Sequence, residues 1–143
     1  MRTIKFRAKN EKGEWVYGSL LTWPDGKAMI YDTLLSDGSM GGHIVKPETI
    51  GQFTDVYDKN HQEIYDGDIV ECVSWNEYFT NPATGEVMQP FRRKMYVDFR
   101  KGGFKMVEPM PEPMKDNNWD IIYNGDCEVI GNIHDNPKLI KRC

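Results

Sequence analysis

Short runs of alternating apolar and polar residues, each cut off by glycine or proline, recur along this chain and constrain its fold more than any other feature. Successive side chains of a strand point to opposite faces, so such runs belong to strands with one dry face. No stretch sustains the i, i+3, i+4 spacing of an amphipathic helix. The chain opens on one such run, with Ile4, Phe6 and Ala8 set against Lys5 and Arg7. Asn10 to Gly13 supplies a turn into Glu14 to Leu21, and Pro24-Asp25-Gly26 reverses the chain again into Lys27 to Tyr31. The opening segment reads as a three-stranded meander. The 13 glycines and 8 prolines among 143 residues then serve mainly as reversals, glycine accepting positive φ and proline fixing its own.

Further along, Ser36 to Gly42 is polar and glycine-rich and is expected to be an exposed loop. His43 to Lys46 is a short extended piece stopped by Pro47, which starts a single helical turn to Ile50. Gln52 to Tyr57 alternates again before a turn at Asp58 to His61. Ile64 to Val73 is a turn-to-strand unit bent at Asp66-Gly67. Residues 76 to 90 lack periodicity and read as a long excursion. Phe91 to Arg100 divides into Met95, Val97 and Phe99 on an inner face and Arg92, Lys94, Tyr96 and Arg100 on an outer one. Gly102-Gly103 turns it into Phe104 to Val107. Pro109, Pro111 and Pro113 each delete a ladder donor, so that segment should be an extended surface loop. Trp119 to Tyr123 and Cys127 to Ile133 are the last expected strands, separated by Asn124-Gly125, and Asn136-Pro137 opens a final helical turn.

The length suits one domain, and 18 basic against 22 acidic side chains leave a net charge of -4, which removes any general attraction to phosphate. Three cysteines are too few and too scattered for a disulfide framework or a CxxC motif. Cys72 and Cys127 are therefore expected as reduced core residues, Cys143 as an exposed one. With no apolar run near Met1 long enough for a signal or a membrane span, a cytoplasmic, membrane-free setting is expected. Asp66-Gly67-Asp68 lacks the further acids of a calcium loop and reads as a tight turn in which the glycine counts for more than the acids. His43, His61 and His134 are dispersed and expected to be solvated. Gly38 to Gly42 lacks the lysine and helix of a phosphate loop. No catalytic, metal or cofactor-binding residue is assigned, so the expectation is a protein without enzyme activity or cofactor. The one charged feature with functional content is a basic and aromatic strand. Arg92, Lys94, Tyr96 and Arg100, with Lys101 in the turn, could follow a nucleic-acid backbone or contact a partner. Asp98 interrupts that set, and an ordinary solvated strand explains it more simply. The methionine- and proline-rich segment Val107 to Met114 is a second candidate contact.

Several blocks carry a family resemblance. Ile4-Lys5-Phe6-Arg7-Ala8, Pro47-Glu48-Thr49-Ile50-Gly51-Gln52-Phe53-Thr54, Asp58 with Asn60, Ile64-Tyr65-Asp66-Gly67-Asp68-Ile69-Val70 and Val129 to Pro137, in this order, resemble the YopX family of phage and prophage proteins. Lys9, Asp66 and His134 depart from the pattern without disturbing its turns. The resemblance implies an all-β domain over residues 1–143, a pseudobarrel or two-sheet sandwich of short antiparallel strands with many tight turns. It also implies a gene in a phage or an integrated element, and hence a bacterial host cytoplasm. It implies no activity, and no catalytic residue is carried over from it. Residues 76 to 118 carry none of the resemblance and are expected to be a variable excursion around a core built from the flanking regions. The leading expectation is a non-enzymatic accessory protein that binds, as a homo-oligomer and with a phage or host protein as a further partner. A nucleic-acid-binding β protein using residues 91 to 101 and a small metal-dependent hydrolase are the alternatives.

Overall fold

Period-two patterning becomes strand after strand in the computed structural model, which describes residues 3–34, 36–74, 83–85, 91–120 and 127–140. The strands are β1 (Phe6–Lys9), β2 (Trp15–Thr22), β3 (Ala28–Leu34), β4 (Met40–Val45), β5 (Gly51–Tyr57) and β6 (Glu63–Tyr65). They continue with β7 (Asp68–Ser74), β8 (Phe91–Arg100), β9 (Gly103–Glu108), β10 (Asn117–Asp120) and β11 (Cys127–Asn132). The helical content among the described residues is two 3-10 turns, at Pro47–Thr49 and Pro137–Ile140, where proline starts each as expected. The chain is all-β, with two antiparallel sheets. Its contacts divide it into two compact units, Met1–Asp55 and Val56–Cys143.

In the first unit the strand order is β4-β3-β2-β1-β5. Strand β2 changes neighbours halfway. Trp15 to Gly18 pair with β1, and Ser19 to Thr22 pair with β3, so the meander curls around its own core. That core is Ala8, Ala28, Ile30 and Val45, with Phe6, Val16, Leu20 and Ile50 packed against it. Burying a side chain such as Ile30 contributes about 1.5–3 kcal/mol, enough for one residue from each strand to hold the curl. The curl brings the end of β4 back to the end of β1. Asn10 bridges Val45, and the Lys46 N–H donates to the Lys9 carbonyl at 2.8 Å. Thr49 staples this corner, its hydroxyl accepting from the Lys9 N–H at 2.8 Å and donating to the Lys46 carbonyl at 2.7 Å. One bridge is the extent of the closure, and among the described residues neither sheet forms a closed barrel.

Strand β4 corrects the expected loop at Ser36 to Gly42. The Asp37 carboxylate, held below its usual range by hydrogen bonds from the Ser39 hydroxyl and N–H, turns the chain at 37–39, and the ladder resumes at Met40. Gly42 belongs in that ladder because the Tyr31 ring of β3 lies over it. A Cβ at position 42 would stand 2.8 Å from that ring. The glycine is there for close approach rather than for loop flexibility.

In the second unit Val56 and Tyr57 lead into a hairpin whose return is β6. The remaining strands form a sheet in the order β10-β9-β8-β7-β11. Its core is Ile64, Val70, Cys72, Met95, Val97 and Cys127. The region of residues 76 to 118 carries strands where the alternation placed them, at Phe91 to Arg100 and Phe104 to Val107, so the core does not rest on the flanking regions alone. Strands β8 and β9 and the start of β10 lie within it, and Met95 and Val97 belong to the core. Phe99 follows the inner-face alternation but is 55% exposed near the end of the hairpin, where it meets Phe104 edge-on at 5.3 Å. Residues 75–82, 86–90, 121–126 and Cys143 lie outside the described residues, and so do most of the 76–90 excursion and the Asn124-Gly125 turn.

Two corrections concern polar chemistry in this unit. Cys72 and Cys127 are core residues, as expected, but they are bonded to each other, 55 residues apart in sequence. They stand directly opposite across β7 and β11, a juxtaposition that depends on strand register and leaves no trace in cysteine spacing. At the Asp66-Gly67 bend Gly67 takes φ +91, as a tight turn requires, yet Asp68 is only 1% exposed and accepts the Tyr65 N–H at 2.7 Å. The acid closes the turn as much as the glycine permits it, because a buried N–H needs a partner.

Candidate functional site

The five residues singled out from the sequence all lie on β8 or its turn, but most of their charge is engaged. Arg92 is 3.3 Å from Glu71, and Arg100 donates to Asp98 at 2.8 Å and to the Tyr96 hydroxyl at 2.9 Å. The hydrogen bond to Asp98 also raises the Arg100 pKa above its ordinary value. Lys94 sits across from Glu71, and Asp98 from Lys105. Tyr96 is half-buried between Ile69 and Val107, its cross-strand neighbours, both fully buried. Lys101 is exposed in the β8–β9 turn with φ +51. The structure thus brings the five together as a ladder of alternating charge, which screens itself and offers little net field to a phosphate backbone. The inner-face neighbour Arg93 pairs with Glu108 at 3.0 Å and lies over Trp119 at 5.6 Å. It borders an open pocket of about 390 Å³ with Met110, Leu139 and Ile140. The proline-rich segment contributes Pro109 and Met110 to that pocket, and Pro111 to Lys115 are exposed.

The residues of the resemblance occupy structural positions. Asp58 is buried, its Oδ1 accepting the Asn60 and Gln62 N–H groups at 2.8 and 2.9 Å and its Oδ2 accepting the Val129 N–H at 3.0 Å. Asn132 accepts the His134 and Asp135 N–H groups at 3.0 and 2.9 Å, and Ile133 donates to the Gly67 carbonyl at 2.8 Å. His43 bonds Asp32 at 2.9 Å and so differs from the solvated histidine expected. Among the described residues no group of three His, Cys, Asp or Glu side chains could hold a metal ion.

A second surface, missed in the sequence, lies on the first unit. Leu21 of β2 pairs with Met29 of β3, and Met29 with Ile44 of β4, so the three form a row across the sheet on the face opposite its core. Leu21 is 47% and Ile44 57% exposed, and Trp23 beside them is 40% exposed. Trp23, Met29 and Ile44 border a shallow pocket of about 320 Å³ with Asp25 and Lys27. Tyr17 continues the face toward β1, where the buried Arg7 guanidinium lies 4.7 Å from the Trp15 ring. The available signal was Leu21 and Ile44 falling on the polar side of their own alternation, but only register aligns them.

The edges of the two sheets differ. Strand β10 has four residues, three of them Asn or Asp, and β6 has three. The outer side of β11 is covered by the Asp58 turn, where Lys59 donates to the Cys127 carbonyl at 2.9 Å and Val129 to Asp58. Strand β4 has six residues with no Lys, Arg, Asp, Glu or Pro among them, and beyond the Asn10–Val45 bridge no described strand pairs with its outer edge. Short, charged or covered edges resist adding a strand, and a longer uncharged one accepts it.

Fold and surface together define a two-sheet, all-β protein built of short antiparallel strands. The model of the YopX protein family matches residues 5–141, so the chain belongs to the YopX family. That match spans the region 76 to 118, which the sequence blocks had left out. A crystal structure of protein EF1440 from Enterococcus faecalis is similar, with a TM-score of 0.54 and 23% identity, over 99% of this chain and 100% of that one. At this identity the likeness speaks for the fold alone. No curated protein matches the chain. Among the described residues no helix is long and apolar enough to cross a membrane.

Proposed function

We propose that this YopX-family chain is a non-enzymatic accessory protein that works by binding, and that its first partner is a second copy of itself. The observation that carries this reading is the edge of β4 that no described strand covers, up to the Asn10–Val45 bridge, beside the exposed row Leu21, Met29 and Ile44. Because Lys46 directs its N–H outward to Lys9, the two-residue alternation of a strand turns the backbone groups of Gly42 to the same side, clear of the Asn10–Val45 bridge. A second β4 running antiparallel about Gly42 presents the same groups in return, which is the self-complementarity an isologous dimer requires. The pairing also continues the apolar row from one molecule into the next. The setting in this reading is the cytoplasm of a bacterium carrying a phage or prophage, as the family resemblance implies, with a phage or host protein as a further partner and no cofactor.

Light scattering across a concentration series tests it. The wild-type chain is expected to run as a dimer at micromolar concentration. Ile44→Lys, which places a charge in the row and on the edge, should run as a monomer with an unchanged far-UV spectrum. A wild-type chain that stays monomeric at all concentrations overturns the reading.

A further inference from the structure

The Cys72–Cys127 bond joins an edge strand to the sheet at a pair where the ladder itself supplies no bond, and the outer side of that strand is held by the Asp58 turn. Strand β11 is an edge strand with β7 as its one ladder neighbour. The Cys127 carbonyl points away from β7, toward Lys59, so Cys127 and Cys72 form a non-hydrogen-bonded pair, with side chains close but no ladder bond between these two residues. The next pair is Glu128 opposite Glu71, two like charges directly across the ladder, which disfavours pairing. Lys59 at 3.5 Å from Glu128, Arg92 at 3.3 Å from Glu71 and Lys94 across the ladder from Glu71 offset this in part, because these side chains are partly exposed. After Val129 the register slips, leaving Ile130 in a bulge. Beyond the bulge the strand is anchored separately, by Ile133 on the Gly67 carbonyl and by the Asn132 turn. Residues 127–129 are therefore a short segment bounded by a disulfide at one end and a bulge at the other.

We propose that the Cys72–Cys127 disulfide is a thiol-exchange site that acts as a redox latch on residues 127–129, with a small dithiol or a dithiol protein as its reductant. A thiolate of the dithiol attacks one cysteine sulfur, the S–S bond breaks, and the other cysteine leaves as a thiolate that takes up a proton. The second thiol then attacks the mixed disulfide, releases the first cysteine as a thiolate that is protonated in turn, and leaves the reductant as its own disulfide. Two electrons and two protons pass to the cysteine pair. Once the bond is open, the opposed carboxylates of Glu128 and Glu71 weaken the one hydrogen-bonded pair between them, and 127–129 lifts from β7 about Ile130. Both cysteines are buried, so the reductant reaches them when the end of β11 opens transiently, and oxidation then favours the shut state and reduction the open one.

Hydrogen exchange on the full-length chain, oxidised and then fully reduced with dithiothreitol, tests the latch. The expected result is an oxidised chain lighter by two hydrogens than the reduced one. On reduction the Glu128 amide, which alternation turns toward β7, should accelerate at least tenfold more than Ile133 and Val97, the first-unit Ile30 should keep its rate, and reoxidation should restore the protection. Cys127→Ala should show the same pattern without reductant. A chain purified aerobically with both thiols free overturns the proposal. So does an unchanged Glu128 after complete reduction, and so does equal acceleration of Glu128, Ile133 and Val97, which would make the bond a staple for the whole unit.

Discussion

The two units are built from the same kind of strand, yet they treat their boundaries in opposite ways. The first ends on an uncharged edge, β4, and carries aromatic and aliphatic side chains on the face away from its core. The second limits its edges: β10 is short and polar, and β11 is tied by a disulfide on one side and by the Asp58 turn on the other. A sheet edge left open offers backbone groups to a partner, and one that is covered or cross-linked contributes to stability instead. The contrast assigns association to the first unit and internal stability to the second.

Breaking the second unit should have the largest effect. Replacing Cys72 and Cys127 together by Ala removes the link across a 55-residue separation and is expected to cost about 2–4 kcal/mol in denaturant unfolding. The exchange rate of Ile30 in the first unit should stay unchanged in that variant. Asp58→Ala comes next, since three backbone N–H groups lose their acceptor at a buried site. A loss of about 2 kcal/mol is expected, with faster exchange at Val129. In the first unit Gly42→Ala pushes a methyl group against the Tyr31 ring and should cost about 1 kcal/mol, read from the thermal midpoint. Ile44→Lys should change monomer stability by no more than about 0.5 kcal/mol while abolishing the dimer, which separates the surface role from the structural one. The smallest effect belongs to the β8 ladder. Arg92→Ala with Lys94→Ala should alter stability by less than about 1 kcal/mol, because the ion pairs there are exposed. Mixed oligonucleotides at low salt should show no shift with the wild-type chain. A clear shift that the double substitution removes would move the binding role to the second unit and break the contrast.

Much of the strand plan was readable because alternation and turn chemistry are local. Pro47 starts a turn, Asp66-Gly67 makes a bend, and Phe91 to Arg100 forms one long strand, all from residues close in sequence. The exceptions depend on residues far apart. Ser36 to Gly42 read as loop throughout, and its last residues became strand because Tyr31 needs Gly42 beneath its ring. Phe99 read as core, and its exposure follows from its position near the hairpin end. Asp68 read as an expendable acid, and burial made it the acceptor for Tyr65. The candidate site divided in the same way. Arg92, Lys94, Tyr96, Arg100 and Lys101 were visible as a basic stripe, but Glu71 and Lys105, the residues opposite them, come from neighbouring strands.

By itself, the sequence determined a turn-rich all-β chain and, through its ordered blocks, the family to which it belongs, because side-chain alternation and turn preference act over a few residues. Only the tertiary structure decided which residues stand opposite one another. Register turned two scattered cysteines into a cross-strand bond and aligned Leu21, Met29 and Ile44 into one exposed row, and register is set by how whole strands pack rather than by any single run of residues.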